Sequence, residues 1–359
     1  ALSLGILGQE TTGAAGFSFA MRSIPALKEY CELIKKYAKP CVKVFNFTNP
    51  AGLVSQALRD MGYDFTYGVC DAPSGMLHSF AALLGVEPEK MKGEIYGCNH
   101  LSYFKSITAN GEDVTKQLIE NDAAYADTDM RYFEKDLLRE YNMIFNEYLY
   151  YYYYREQAVE NIIKADKTRG EQICQINKLM TAELSGMDIE NDFPSCLAVF
   201  EKYYGMRENS YMASETGIVR QNKWKFDPFS RDAGGYAGVA LKYMDIIKSG
   251  KKDSMILCVP NGNAVDGLES TDVVEITCDI LPDGRAVPHR FEAVNTDSLE
   301  LIRRVKLYER QAAKAIVNRD RALAVSAFTL HPLVGSYSLA VKLADEYISL
   351  NREYCGEWR

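Results

Sequence analysis

Short apolar runs of strand length alternate with helically spaced segments through the first hundred residues. Cys41-Val-Lys-Val-Phe-Asn-Phe47 is rich in β-branched and aromatic residues. It is closed by Thr48-Asn-Pro-Ala-Gly52 before a helical pattern that runs to about Asp60. Phe65-Thr-Tyr-Gly-Val-Cys70 repeats the strand, Asp71-Ala-Pro-Ser-Gly75 the turn, and Met76 to Leu84 the helix. Ahead of these units a glycine-rich opening, Leu4 to Gly16, flows into a helical pattern through Met21-Arg-Ser-Ile-Pro25 to about Tyr37. A third strand-like stretch, Gly93-Glu-Ile-Tyr-Gly-Cys-Asn-His100, follows. This alternation predicts a parallel α/β sheet, with functional residues at the carboxyl ends of its strands, here Asn46–Asn49 and Cys70–Asp71.

Beyond residue 100 the texture changes. Residues from about 115 to 250 read as helices with charged faces and include six tyrosines within Tyr148–Tyr154. A β-rich segment follows, Ser254–Val259 and Asp272–Cys278, separated by the turn-forming Pro260-Asn-Gly-Asn263. From about Thr296 the spacing of Leu299, Ile302, Val305 and Leu307 is helical again.

Composition narrows the functional classes. Of 359 residues 47% are hydrophobic and 25% charged, enough for one or two packed domains and unlike a disordered or fibrous chain. A net charge of −8 argues against a general electrostatic grip on nucleic acid or an anionic membrane. No apolar run reaches the roughly 18 residues of a membrane span, and no secretion signal opens the sequence, so the expected compartment is the cytoplasm. Nine cysteines without CxxC pairs suit reduced thiols better than a disulfide framework.

Several side chains are candidates for chemistry. Cys70 and His100 stand at the ends of two strands of the expected sheet, and a thiolate with an imidazole is a fitting donor pair for a divalent ion. Spacing alone favours a buried thiol and a hydrogen-bonded imidazole; it is their place at strand ends of one sheet that points to a site. Asp71 would lie beside any bound ion or substrate as a general acid, or else caps the helix near Pro73. Asn46 and Asn49 offer amides suited to sugar hydroxyls or a nicotinamide, and Asn before Pro is also ordinary turn chemistry. Thr168-Arg-Gly-Glu171 has the capping-box pattern, which predicts a helix start, and Arg169 on its first turn makes a phosphate seat. Tyr148 is a base where a neighbouring cation favours its phenolate, and the tyrosine run also describes a half-buried helix face.

Taken in order, Gly8-Gln-Glu-Thr-Thr-Gly, Met21-Arg-Ser-Ile, Asn46-Phe-Thr-Asn-Pro-Ala, Cys70-Asp-Ala-Pro-Ser-Gly and Gly97-Cys-Asn-His resemble glycoside hydrolase family 4. The resemblance continues through Glu147-Tyr-Leu-Tyr-Tyr, Thr168-Arg169, Val305-Lys-Leu-Tyr-Glu309 and His331-Pro-Leu-Val, so it spans nearly the whole chain. It implies an α/β fold: an incomplete Rossmann-like parallel sheet, lactate/malate dehydrogenase-like, over residues 1–98 as the remainder of an NAD-binding domain. A mixed α+β, mainly helical C-terminal domain for substrate and metal would fill residues 99–359.

The resemblance also implies an NAD-dependent glycosidase. Oxidation of the sugar at C3 acidifies the proton on C2, elimination and water addition follow, and the hydride returns, so the net reaction is hydrolysis. Cys70 and His100 would bind a divalent ion, usually Mn²⁺. Asn49 would contact the substrate, Asn46 and Glu10 the cofactor side of the site, and Arg169 the 6-phosphate of the sugar. Tyr148 would be the base and Asp71 the general acid. An Asp directly after the metal Cys is similar to the 6-phospho-α-glucosidase branch, where β-specific members more often have Asn. A homodimer or homotetramer is implied, with a small phosphorylated sugar as partner and neither nucleic acid nor membrane.

Three departures accompany the resemblance. No GxGxxG occurs, so roughly 90 residues, about three βα units of ~30 each, are expected to be missing from the nucleotide-binding part. Cys98 stands where the family usually has Leu and is read as a core residue. Tyr152-Tyr-Tyr-Arg-Glu156 replaces a Phe-Pro-Asp segment. The competing expectations are a 6-phospho-β-glucosidase or other family member, an NAD-dependent hydroxy-acid dehydrogenase, and an inactive fragment.

Overall fold

The structure, a computed structural model, describes residues 1–9, 11–227 and 235–359. The chain forms two compact units, Ala1–Tyr153 with Asp232–Arg359, and Tyr154–Arg231.

In the first unit, helix α1 (Ala14–Tyr37) precedes the two expected strand–turn–helix repeats. Strand β1 (Val44–Asn46) leads into α2 (Ala51–Asp60), and β2 (Thr66–Gly68) into α3 (Ala72–Leu84). β1 and β2 pair in parallel, with Asn46 opposite Gly68. The Asn46–Asn49 and Cys70–Asp71 segments therefore leave the carboxyl ends of adjacent parallel strands, as the alternating pattern predicts.

The stretch expected as a third parallel strand does not join that sheet. β3 (Met91–Cys98) and β4 (Leu101–Ala109) form an antiparallel hairpin, extended by β5 (Glu112–Asp113) and by β6 (Ile144–Phe145), which pairs with β4. Only Asn99 and His100 separate β3 from β4, and a two-residue link can only reverse the chain, since a parallel crossover takes a dozen residues or more. His100 is thus a turn residue, at φ 62°, and not the end of a strand in the parallel sheet. The turn needs Gly97, at φ 145°, where an added Cβ would lie 2.2 Å from the carbonyl oxygen of Leu101. β4 begins with four buried residues, so it lacks the alternation that would have marked it as a strand.

β7 (Asp253–Pro260), β8 (Val273–Ile280) and β9 (Ala286–Pro288) complete the first sheet in antiparallel fashion, in the order β1-β2-β7-β8-β9. Thr277 on β8 links the sheets: its hydroxyl donates to Gly93 O (2.8 Å) and accepts from Ile95 N (3.0 Å), where the register of β3 shifts.

The main core lies among α1, α2 and the helices Thr296–Asn318, Arg321–Leu330 and Tyr337–Leu350, around Phe17, Leu53, Val54, Tyr308, Phe328 and Leu343. α2 is buried from Ala51 to Leu58. It approaches its neighbour closely at Gly52, where an added Cβ would come within 2.6 Å of Glu309 Oε1. Within α1, Pro25 has no N–H for the Met21 carbonyl, and the Cys355 thiol donates to that oxygen instead (3.1 Å).

A buried polar network closes the start of β8. Gln56 Oε1 accepts from Val273 N (2.8 Å), and Lys306 Nζ donates to Gln56 Oε1 (2.9 Å), Val273 O (2.7 Å) and Glu309 Oε2 (2.6 Å). Beside it Arg310 grips the buried Asp272 with two hydrogen bonds. All nine cysteines are free thiols; Cys41 and Cys174 are exposed and the other seven buried.

His289 sits between two carboxylates, Glu94 (2.9 Å) and Asp279 (3.2 Å). The hydrogen bond to Glu94 outweighs burial, and with Asp279 it holds the imidazolium above its ordinary 6.5. A raised folded-state value means that the stabilisation is full below the unfolded value and disappears as pH rises through the folded one. His289→Gln should therefore lower the melting temperature at about pH 5.5 and leave it nearly unchanged at about pH 9; an equal loss at both would refute the charge-based account.

The second unit packs the helices Arg155–Lys164, Arg169–Leu184 and Phe193–Asn209, with Ile176, Val199 and Tyr203 at its small core. The expected capping box is present: Thr168 caps the backbone of Glu171, whose carboxylate returns to Thr168 N (2.8 Å).

Candidate active site

Two turns bring the central pair together. Cys70 lies between β2 and α3, His100 in the β3–β4 turn, and Cys70 Sγ stands 3.5 Å from His100 Nε2. Ligand bonds of about 2.0–2.3 Å put two donors on one ion about 3–3.7 Å apart, so the thiol and imidazole fit a shared divalent cation without rearrangement. Among the described residues no cluster of three or more His, Cys, Asp and Glu is placed to hold a metal.

Both groups are buried and neutral. Burial, followed by the nearby Glu275 carboxyl, pushes the Cys70 thiol well above its ordinary range. Burial alone takes His100 down to about 3. An entering cation would displace the thiol proton and offset the desolvation of the resulting thiolate.

The turn that carries His100 is tied down on three sides. Asn99 Nδ2 (3.0 Å) and Ser102 Oγ (2.6 Å) donate to Glu275 on β8, a carboxyl that burial raises to about 7. Tyr148 stacks face to face on the imidazole, with ring centroids 3.7 Å apart and planes 2° from parallel. Thr11 Oγ1 lies 2.7 Å from His100 Nδ1. Cys70 and His100, paired in the sequence analysis, and Tyr148, introduced there apart from them, are thus one contiguous cluster. The tyrosine run is a short helical segment, Glu147–Leu149 and Tyr150–Tyr153, in which Asn146 caps Tyr148 N.

Asp71 takes the N-cap position of α3 but makes no side-chain cap hydrogen bond, so its carboxylate is not spent on the helix. Asn46 is buried, its Oδ1 accepting from Thr48 N (3.1 Å) while Nδ2 has no partner among the described residues. Its carbonyl accepts from Val69 N (2.9 Å), which ties the end of β1 to the Cys70 segment. Asn49 precedes a cis Pro50, and its Oδ1 faces Ala51 N (3.4 Å). Glu10 lies outside the described residues. Arg169 belongs to the second unit, where its guanidinium donates to Ser210 Oγ (2.6 Å) and Arg207 O (2.9 Å). Cys98 is fully buried.

A cavity of about 140 Å³ opens beside Cys70, bordered by Ser74, His78, Lys242 and Thr277. A larger one, about 610 Å³, lies between α2 and the helix Thr296–Asn318 and touches none of the expected site residues. Thr11 and Glu275 reach the His100 turn only through the fold. Thr11 belongs to the Gly8-Gln-Glu-Thr-Thr-Gly segment, and its contact lies 89 positions away in sequence.

Residues 1–86 match the Family 4 glycosyl hydrolase profile and residues 95–334 that family's C-terminal domain. The chain belongs to glycosyl hydrolase family 4. This family 4 chain is accordingly a glycosidase. It is 27% identical to the 6-phospho-beta-glucosidase BglT of Thermotoga maritima, over 98% of its own length and 76% of the relative's. It is 26% identical to the maltose-6'-phosphate glucosidase MalH of Clostridium acetobutylicum, over 99% and 77%. The solved Thermotoga maritima 6-phospho-beta-glucosidase, with manganese, NAD⁺ and glucose-6-phosphate, superposes with a TM-score of 0.76 at 26% identity, covering 98% of this chain and 76% of that one. No described helix of this family 4 chain is long and apolar enough to cross a membrane.

Proposed function

We propose that this family 4 glycosidase hydrolyses 6-phosphoglucosides, preferentially the α-anomers, with NAD and a divalent ion such as Mn²⁺. The observation that carries the reading is the Cys70–His100 pair at 3.5 Å with Asp71 next in sequence. What supports it is that the two donors are spaced as ligands of one ion would be, and that the neighbouring Asp71 carboxylate makes no side-chain cap hydrogen bond to α3.

When bound, NAD supplies reversible hydride removal and the divalent ion Lewis-acid polarisation of sugar oxygens. Cys70 and His100 hold the ion. Tyr148, fixed over His100, accepts the proton from C2 of the sugar. Asp71 protonates the departing glycosidic oxygen, and Asn49 binds the hydroxyls of the ring. The spare Nδ2 donor of buried Asn46 suits a nicotinamide carboxamide, and Glu10 would complete that side. Arg169 has five guanidinium N–H donors, of which the two used on Ser210 and Arg207 leave others for a sugar 6-phosphate. Free thiols throughout suit a cytoplasmic enzyme, which we propose is a homodimer or homotetramer. The division of labour proposed is nucleotide binding by residues 1–98 and substrate and metal binding by 99–359, with Asn49, Cys70 and Asp71 contributed to that second task from the strand ends of the first part.

The second reading, preference for β-anomers, draws support from the relatives named 6-phospho-beta-glucosidase. Hydrolysis of matched α- and β-nitrophenyl glucoside 6-phosphates, with NAD⁺, Mn²⁺ and thiol reductant withheld in turn, separates them. The expected result is turnover that needs all three and favours the α-anomer. Faster β-turnover would establish the second reading, and net accumulation of NADH would overturn both in favour of a dehydrogenase.

Asp71→Asn should lower turnover of a 6-phosphorylated disaccharide by about 10²–10⁴-fold, the range for losing a positioned acid. The nitrophenyl substrate should suffer much less, because nitrophenolate departs without a proton. Equal losses on the two substrates would remove Asp71 from the acid role.

A further inference from the structure

Three hydrogen bonds in the loop before α1 settle where the proton of a site imidazole sits. Gln9 Oε1 receives the backbone N–H groups of Thr11 (2.7 Å) and Thr12 (2.6 Å). The amide atom facing them must be oxygen, since the amide nitrogen would set N–H against N–H. The Thr11 hydroxyl lies 2.8 Å from the same oxygen. A carbonyl oxygen has no proton to give, so the hydroxyl donates there and its single proton is used. Toward His100 Nδ1, at 2.7 Å, Thr11 can then only accept, so Nδ1 carries the hydrogen. In the neutral ring Nε2 is left as the bare lone pair, and Nε2 is the nitrogen that faces Cys70.

We infer that Thr11 is a positioning residue for the cation site: locked as an acceptor by Gln9, its hydroxyl holds His100 in the tautomer that presents Nε2 to the ion. The inference rests on the reading of Cys70 and His100 as the metal pair. Tyr148 fixes the plane of the ring by stacking, and Thr11 fixes its rotation within that plane and its proton. A metal-bound imidazole gains basicity and orientation from the partner of its other nitrogen, and loss of such a partner weakens metal affinity by about 10–100-fold. Most outer partners are carboxylates or carbonyls. Here a hydroxyl serves, and it can do so only because a second side chain has already taken its proton.

The test uses the full chain with Thr11→Val, which keeps the shape and removes the hydroxyl, and Thr11→Ser, which keeps the hydroxyl. Imidazole ¹⁵N shifts in the metal-free protein report the tautomer, with four histidines to assign. The electron paramagnetic resonance signal of free Mn²⁺ gives the dissociation constant. Wild type and Thr11→Ser should show His100 protonated at Nδ1. Thr11→Val should populate the Nε2-protonated form and bind Mn²⁺ about 10–100-fold more weakly. Unchanged tautomer or unchanged Mn²⁺ affinity in Thr11→Val would overturn the inference, as would Thr11→Ser behaving like Thr11→Val. Equal Mn²⁺ binding by wild type and Cys70→Ser would instead refute the metal pair itself, while the nitrogen shifts would still decide the proton on His100.

Discussion

Cys70→Ser should lower kcat/KM on a 6-phosphoglucoside by at least about 100-fold, some 2.7 kcal/mol of transition-state stabilisation, with the protein still folded. The serine hydroxyl can take the place of the thiol against His100 Nε2, so the metal-free site keeps its internal hydrogen bond. What is lost is the soft, ionisable donor. A serine hydroxyl does not deprotonate to meet a cation as a thiol does, and the site is left with one strong protein ligand. The defect should deepen as Mn²⁺ is lowered and be partly recovered at high Mn²⁺. Unchanged turnover in correctly folded Cys70→Ser protein would remove Cys70 from the cation seat and with it the basis of the proposed function.

The largest effect on stability should come from Lys306→Ala. Its ammonium is fully buried and donates to Gln56, Val273 and Glu309. Removing it leaves the Glu309 carboxylate uncompensated in the core and Val273 O without that donor, a change that costs about 3–5 kcal/mol. The double replacement Lys306→Met with Glu309→Met removes both charges and refills the volume, so it should recover most of the loss. Urea unfolding of the three proteins reads this directly. If the double variant is no more stable than Lys306→Ala, the cost lies in the packing of the long side chain and not in a stranded charge.

Much of the fold was legible because local and tertiary demands agree. β1, β2, α2 and α3 have the lengths and turn residues that a strand–turn–helix unit requires, and the Thr168 capping box reports its own helix start. The second sheet was not legible for the opposite reason. β4 is buried on both faces at its start, so it shows no period of two, and the Gly97–His100 turn carries no Asn-Gly or Asp-Gly signature. His100 accordingly sits in the hairpin and not at the end of a strand of the parallel sheet, although its side chain does lie 3.5 Å from Cys70; motifs report proximity without the path the chain takes. Thr11 and Glu275 act across 89 and 173 residues or more, and no local pattern encodes such a reach. The larger cavity, beside α2, touches none of the motif residues, and no pattern in the sequence announces it.

The distribution of thiols between surface and interior gives the protein a built-in optical gauge. In a native titration with a chromogenic disulfide reagent, Cys41 and Cys174 should react at once and the seven interior thiols only as the structure opens. The slow phase then clocks opening of the interior. If Mn²⁺ slows the release attributable to Cys70 and leaves the two fast thiols untouched, the same cuvette that reports conformational integrity also reports whether the ion has been seated.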